Sequence, residues 1–100
     1  MIDGKYQIVM KTPIGPRNGI LTMITDKESV HGTLEVLSAI NAFSGGKVDG
    51  NKCSFSGKIQ TALSTVAYTV SGEVIGDLLT AMANTEKGNM PIIGNRILEV

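Results

Sequence analysis

Apolar and polar residues alternate along most of this chain, in short stretches separated by turn-forming residues. From Gly4 to Thr12, Tyr6, Ile8 and Met10 alternate with Lys5, Gln7 and Lys11, and only Val9 breaks the polar side. A period of two marks a half-buried strand. Pro13-Ile14-Gly15-Pro16 then stops it, because two prolines remove donors and fix φ. A second strand is predicted from about Gly19 to Thr25. A third runs from Val30 to Leu37, with Val30, Leu34 and Val36 on one face and His31, Thr33 and Glu35 on the other. Ala39 to Phe43 is a short fourth, and Lys47-Val48-Asp49-Gly50-Asn51 is a strand end entering a hairpin. Lys52–Gln60 is the fifth, with Cys53, Phe55 and Ile59 on one face. Thr65–Val74 is the sixth, Leu78–Ala83 the seventh, and Met90–Val100 the last, interrupted at Gly94.

The punctuation is regular. Asn18-Gly19, Asp26-Lys27-Glu28, Ser44-Gly45-Gly46, Asp49-Gly50-Asn51, Gly76-Asp77 and Lys87-Gly88-Asn89 cut the sequence roughly every ten residues. Short strands at about that spacing signal an antiparallel sandwich or barrel. Two segments also fit helical spacing. Thr33–Phe43 sets Leu34, Leu37 and Ile40 on one face, and Leu78–Lys87 has Asp77 as an N-cap and Gly88 as a stop. Helices of about ten residues are marginal alone, and both segments lie within a series of hairpins, so both are read as strands. The expectation is an all-β, antiparallel up-and-down meander of about eight short strands that closes into a small barrel. Residues 1–100 form one domain, the size at which a chain holds a single core.

Several strands are apolar on both faces. The second carries Ile20 and Ile24 against Leu21 and Met23, the seventh Leu78 and Met82 against Leu79, Ala81 and Ala83, and the last adds Met90, Ile92 and Ile93. A solvated antiparallel sheet keeps one face polar. With 42% hydrophobic and 18% charged residues, the excess predicts a covered outer wall. The expected cover is a second copy, making a homo-oligomer, or a partner enzyme.

Composition removes several function classes. Nine basic residues balance nine acidic ones, and none of Tyr6, Phe43, Phe55 and Tyr68 sits in a basic cluster. That argues against nucleic acid as a partner. No apolar run reaches the ~18 residues of a helical membrane span. The start, Met1-Ile2-Asp3-Gly4-Lys5, has no signal-peptide pattern, and the lone Cys53 cannot form an internal disulfide. Both point to a cytoplasmic protein.

Chemistry fails on inventory. One His and one Cys make no structural zinc site, and no loop gathers the carboxylates of a calcium cage. His31 is the only candidate base, and Glu35 lies about 13 Å further along the strand. Gly45-Gly46-Lys47 has the tail of a phosphate loop, but Val48 replaces the hydroxyl residue and Asn41 the first glycine. No cofactor and no catalytic residue is predicted. The expectation is a protein that is not an enzyme.

One pair stands out. If the barrel closes, the first and last strands are neighbours, and Arg96 lies against the ring of Tyr6. Such a cation–π contact is worth about 0.5–2 kcal/mol and would seal one end. Tyr6, Ile8, Met10, Leu34, Phe55, Tyr68 and Val70 are expected inside. Eight strands leave room for side chains or one small ligand. Tyr6, Met10, Phe55, Tyr68 and Arg96 are therefore the candidate ligand-binding residues, with Met10, Met23 and Met82 as candidate lining of a deformable pocket.

Gly4-Lys5-Tyr6 opening the first strand, a β-meander, and Arg96 in the closing strand resemble the calycin group of lipocalins, fatty-acid-binding proteins and avidins. Tyr6 stands where the lipocalin opening has tryptophan. The spans Gly19–Leu37, Gly46–Phe55 and Gly72–Ile97, with Pro91-Ile92-Ile93-Gly94-Asn95-Arg96, also look like a small bacterial barrel module. That module occurs alone or attached to larger enzymes, and its function is generally unassigned. Pro91 is expected at a strand start or bulge, with Gly94 marking the bulge. Two roles follow: a non-catalytic assembly or accessory module, or a carrier of a small apolar ligand.

Overall fold

The computed structural model describes residues 2–36, 39–60 and 64–97. Eight strands follow one another: β1 (Gly4–Thr12), β2 (Gly15–Asp26), β3 (Ser29–Val36), β4 (Ala39–Asp49), β5 (Lys52–Gln60), β6 (Thr65–Ile75), β7 (Leu78–Thr85) and β8 (Gly88–Arg96). Each pairs antiparallel with the next, and β8 pairs with β1, closing the barrel. Of the two segments with helical spacing, Thr33–Val36 and Ala39–Phe43 are strand in β3 and β4, and Leu78–Thr85 is β7. Local helices of that length could not outweigh the ladders on either side.

The alternation read from the sequence sorts side chains as expected. Tyr6, Ile8, Met10, Leu34, Phe55, Tyr68 and Val70 are all buried inside, and no polar or charged residue is buried among the described residues. Every second position on β1, β3 and β7 is interior.

Several boundaries differ from the sequence reading, for physical reasons. Asn18-Gly19 is not a turn; it lies in the middle of β2, which starts at Gly15. The β1–β2 reversal uses only Pro13 and Ile14 as its loop. Gly19 is glycine because a β-carbon there would strike the Glu35 carbonyl of β3. Ser44-Gly45-Gly46 also lies within a strand. On β4, Ser44 and Gly45 together oppose the single residue between Val30 and Gly32 of β3, with Gly45 at φ 72°. This β-bulge shifts the phase of alternation, so Phe43 and Gly46 both point inward. A strict period of two breaks there, which is why the sequence showed only a short fourth strand.

β7 runs on to Thr85, and β8 begins at Gly88 and ends at Arg96. Leu37 and residues 98–100, expected at the ends of the third and last strands, lie outside the described residues. Pro91 is neither at a strand start nor at a bulge. It pairs with Met82 on β7, just beyond Ile92, the last β8 residue paired with β1. One edge of β8 is open there, where a missing donor is tolerated. Gly94 marks a close approach: a β-carbon would lie 2.7 Å from Ile8 Cγ2.

Six of the eight ladders hold seven or more pairs, and the closing β1–β8 ladder holds five. The β4–β5 ladder has three pairs, Lys47–Ser54, Val48–Cys53 and Asp49–Lys52. Above them the two strands are joined by side chains. Phe43 of β4 and Phe55 of β5 stack with centroids 3.9 Å apart, and the Tyr68 hydroxyl reaches from β6 across Gly57 of β5 to donate to Asn41 Oδ1 at 2.6 Å.

Candidate functional site

The meander places the β2–β3, β4–β5 and β6–β7 turns at one end of the barrel and the β1–β2 and β7–β8 turns at the other. The two ends are built differently.

The first end is sealed. Ile2 is buried beneath it, and the Tyr6 hydroxyl donates to the Ile2 carbonyl at 2.8 Å. Tyr6 stands opposite Arg96 in the β1–β8 ladder. Arg96 Nη2 donates to the Tyr6 hydroxyl at 2.7 Å, and the guanidinium carbon lies 5.3 Å from the ring centroid. Arg96 Nη1 donates to Asp77 Oδ1 at 2.9 Å, and its backbone N–H to the Asp77 carbonyl at 2.8 Å. Burial pushes the Tyr6 phenol up, and the Arg96 bond offsets only part of that shift. The Tyr6 hydroxyl in turn raises the Arg96 guanidinium. Gly4, at φ 144°, lets the Arg96 chain cross close above it. Asp3 adds a latch, accepting from the Thr25 N–H at 2.9 Å and from the Thr25 hydroxyl.

Among the described residues, the other end is open. A cavity of about 290 Å³ enters the barrel there, lined by Met10, Leu34, Ile59, Val66, Tyr68, Ala83 and Met90. Thr12, Pro13, Ile14, Ser64, Thr85 and Lys87 complete its lining. The rim hydroxyls of Thr12 and Thr85 are committed to their turns. Thr12 donates to the Gly15 carbonyl at 2.6 Å, and Thr85 to the Gly88 carbonyl at 2.9 Å. Each also accepts from the second loop residue, Ile14 or Lys87. With Gly15 at φ 111° and Gly88 at φ 116°, the two hairpins solve the same turn in the same way.

The five residues singled out from sequence therefore divide. Met10 and Tyr68 line the cavity, while Tyr6 and Arg96 belong to the seal at the far end. Phe55 lies deeper, stacked on Phe43 and edge-on to Tyr68 at 6.3 Å. Burial pushes the Tyr68 phenol up to about 12. Of the methionines, Met23 is fully buried against Cys53, and Met82 lies on the outer wall, because its position on β7 has the outward parity. Burial raises the Cys53 thiol.

Sequence reasoning missed Ile59, Val66, Ala83, Met90 and Lys87 as lining residues. The signal was available, since alternate hairpins of a meander share an end and residues flanking them define the mouth. A wider groove of about 1220 Å³ at the sealed end is open to solvent and carries both Lys27 and Lys47 and Asp26, Glu28 and Asp49. No set of three or more His, Cys, Asp or Glu suited to a metal ion occurs among the described residues.

No family model, curated protein or solved structure matches this chain. The barrel and its two unlike ends are the basis for a functional reading.

The outer wall carries its own feature. Val9 and Ile93 stand opposite each other on β1 and β8, and both are exposed. Leu78 and Met82, on β7, extend the apolar surface. Over β7 and β8, every outward position is uncharged: Leu78, Thr80, Met82 and Asn84 on one, Asn89, Pro91, Ile93 and Asn95 on the other.

Proposed function

We propose that this chain is a non-catalytic binding barrel that holds a small apolar ligand in its open end. The cavity of about 290 Å³ carries the reading. It is enclosed by aliphatic and aromatic side chains, as small-molecule sites generally are. The resemblance to lipocalins and their relatives points the same way. Met10 and Met90 supply adaptable walls. A catalytic reading has little to build on, since His31 is exposed on the outer wall opposite Ile24 and Cys53 is buried. The lone buried thiol suits a reducing cytoplasm.

Native mass spectrometry of the purified protein, with uptake of a hydrophobic fluorescent dye, tests the reading. Retained mass or dye uptake, abolished when Val66→Phe fills the cavity of a folded barrel, supports it. Absence of both overturns it.

A second reading rests on the uncharged β7–β8 wall. Interface cores are depleted of charge, so we propose that this wall packs against a second copy of the chain. A partner enzyme is the competing occupant. Sedimentation velocity decides: a monomer at micromolar concentration removes the homodimer.

A further inference from the structure

We propose that two copies of this chain exchange halves by opening at Asp49-Gly50, giving a dimer in which each barrel holds β1–β4 of one copy and β5–β8 of the other. The exchange is independent of the ligand reading and of packing through the β7–β8 wall.

Three observations carry the inference. First, the ladders mark where the barrel divides. Any cut into an N-terminal and a C-terminal part breaks the β1–β8 ladder of five pairs. Among the described residues, a cut between β4 and β5 breaks three pairs more. A cut between any other two consecutive strands breaks seven or more. The least costly division therefore yields two sheets of four strands, each held together by its own longer ladders.

Second, the link between these halves is a free pivot with anchored flanks. Before it, the Val48 N–H donates to the Glu28 carbonyl of the first half at 2.9 Å. After it, the Asn51 carbonyl accepts from the Val74 N–H of the second half at 2.9 Å. Only Asp49 and Gly50 lie between, and both are exposed. Gly50 sits at φ 63°, with nothing within 4 Å of the place a β-carbon would take. Glycine leaves positive φ for an extended conformation at no steric cost. The turn then straightens, and β4 runs on into β5.

Third, the contacts across the division are ones a second copy can supply unchanged. Phe43 on Phe55, Tyr68 to Asn41 and Arg96 to Tyr6 each join one half to the other. After exchange each is remade between copies, so only the turn differs. Exchange of identical elements is a low-cost route to a dimer for this reason. The cavity divides in the same way. Met10 and Leu34 come from the first half, and Ile59, Val66, Tyr68 and Met90 from the second. In the exchanged dimer, each cavity is built by two copies.

The test uses the full chain carrying Lys47→Cys and Ser54→Cys, which are Cα partners on the β4–β5 ladder beside the pivot. Paired antiparallel strands meet the Cα spacing of a disulfide. Cys53 is buried and stays out of the reaction. The protein is refolded from urea at micromolar and at millimolar concentration, oxidised, and run on a denaturing gel without reductant. The expected result is a share of dimer that grows with concentration and stays covalently joined, because each bridge then links two copies. Gly50→Val disfavours the turn and suits the extended form. It should raise the dimerisation constant by roughly tenfold or more, the factor for a side chain strained at positive φ. Two glycines inserted after Gly50 relax the turn and should lower the share of dimer. Circular dichroism checks the β-fold of each variant. Monomer alone at millimolar concentration overturns the exchange. Dimers whose chains separate on the gel, each with an internal bridge, also overturn it and point to wall packing. A share of dimer unmoved by both turn variants overturns the pivot.

Discussion

Tyr6 and Arg96 face each other across the ladder that closes the barrel, and the same guanidinium reaches Asp77 on the β6–β7 turn. Three parts of the chain are thus tied by one side chain. Tyr6→Phe removes both the bond to Ile2 and the acceptor for Arg96. It should cost about 1.5–3 kcal/mol, the range for a hydrogen bond to a charged group. Arg96→Ala should cost a similar amount. Urea unfolding of both single variants and the double variant measures their coupling, and strictly additive losses would show that the pair does not act as a unit.

Acid should loosen the N-terminal latch. Burial alone would push the Asp3 carboxyl up, but its bonds from Thr25 outweigh that and hold it below its usual value. A carboxylate with a depressed folded pKa contributes stability above its unfolded pKa. That contribution is lost as pH falls through the folded value. Asp3→Asn should be less stable than the parent at neutral pH and approach it in acid. Denaturant midpoints at several pH values between neutral and acid check this.

Alkali acts through Tyr68. With its phenol pushed up to about 12, the folded protein keeps this proton after the unfolded chain, at an ordinary value near 10, has lost it. Stability from this group is therefore present below pH ~10 and declines above it. Ultraviolet titration should show both tyrosines ionising above their ordinary range, since burial raises Tyr6 as well. Tyr68→Phe should remove the more strongly displaced of the two steps.

Gly32→Ala tests strand packing. A β-carbon on Gly32 would collide with the Thr22 carbonyl and crowd Phe43. Overpacking of this kind costs about 1–3 kcal/mol. Gly76→Ala, where space is open but φ is 63°, should cost about 1 kcal/mol from backbone strain alone. Thermal melts of the two variants separate the effects.

Ile93→Glu probes the outer wall. Ile93 is 47% exposed, so a charge there leaves a monomer's stability nearly unchanged. If the wall is a dimer interface, the substitution shifts sedimentation to monomer. Identical sedimentation of parent and variant as dimers would place the interface elsewhere.

The architecture was legible because inward and outward positions on β1, β3, β5 and β7 alternate without interruption. Tyr6 and Arg96 could be paired from the sequence, since closure of a meander makes its ends neighbours. Glycine was the ambiguous letter. Gly50 and Gly76 reverse the chain at positive φ, whereas Gly19 and Gly94 sit mid-strand so that neighbouring groups can approach. Nothing local distinguishes these uses, because the deciding contact comes from another strand. The cavity was illegible for a related reason: Ile59, Val66 and Met90 become neighbours only when the turns of one end are gathered together.

The short ladder between β4 and β5 gives this cylinder a weak line. Elsewhere, parting two strands means breaking five or more ladder pairs. Along Ala39–Gly45 and Phe55–Gln60 it means sliding two rings apart and releasing one phenol. Amide hydrogens on these two stretches should exchange with solvent sooner than those of β1 and β8, and warming should unroll the molecule from here first.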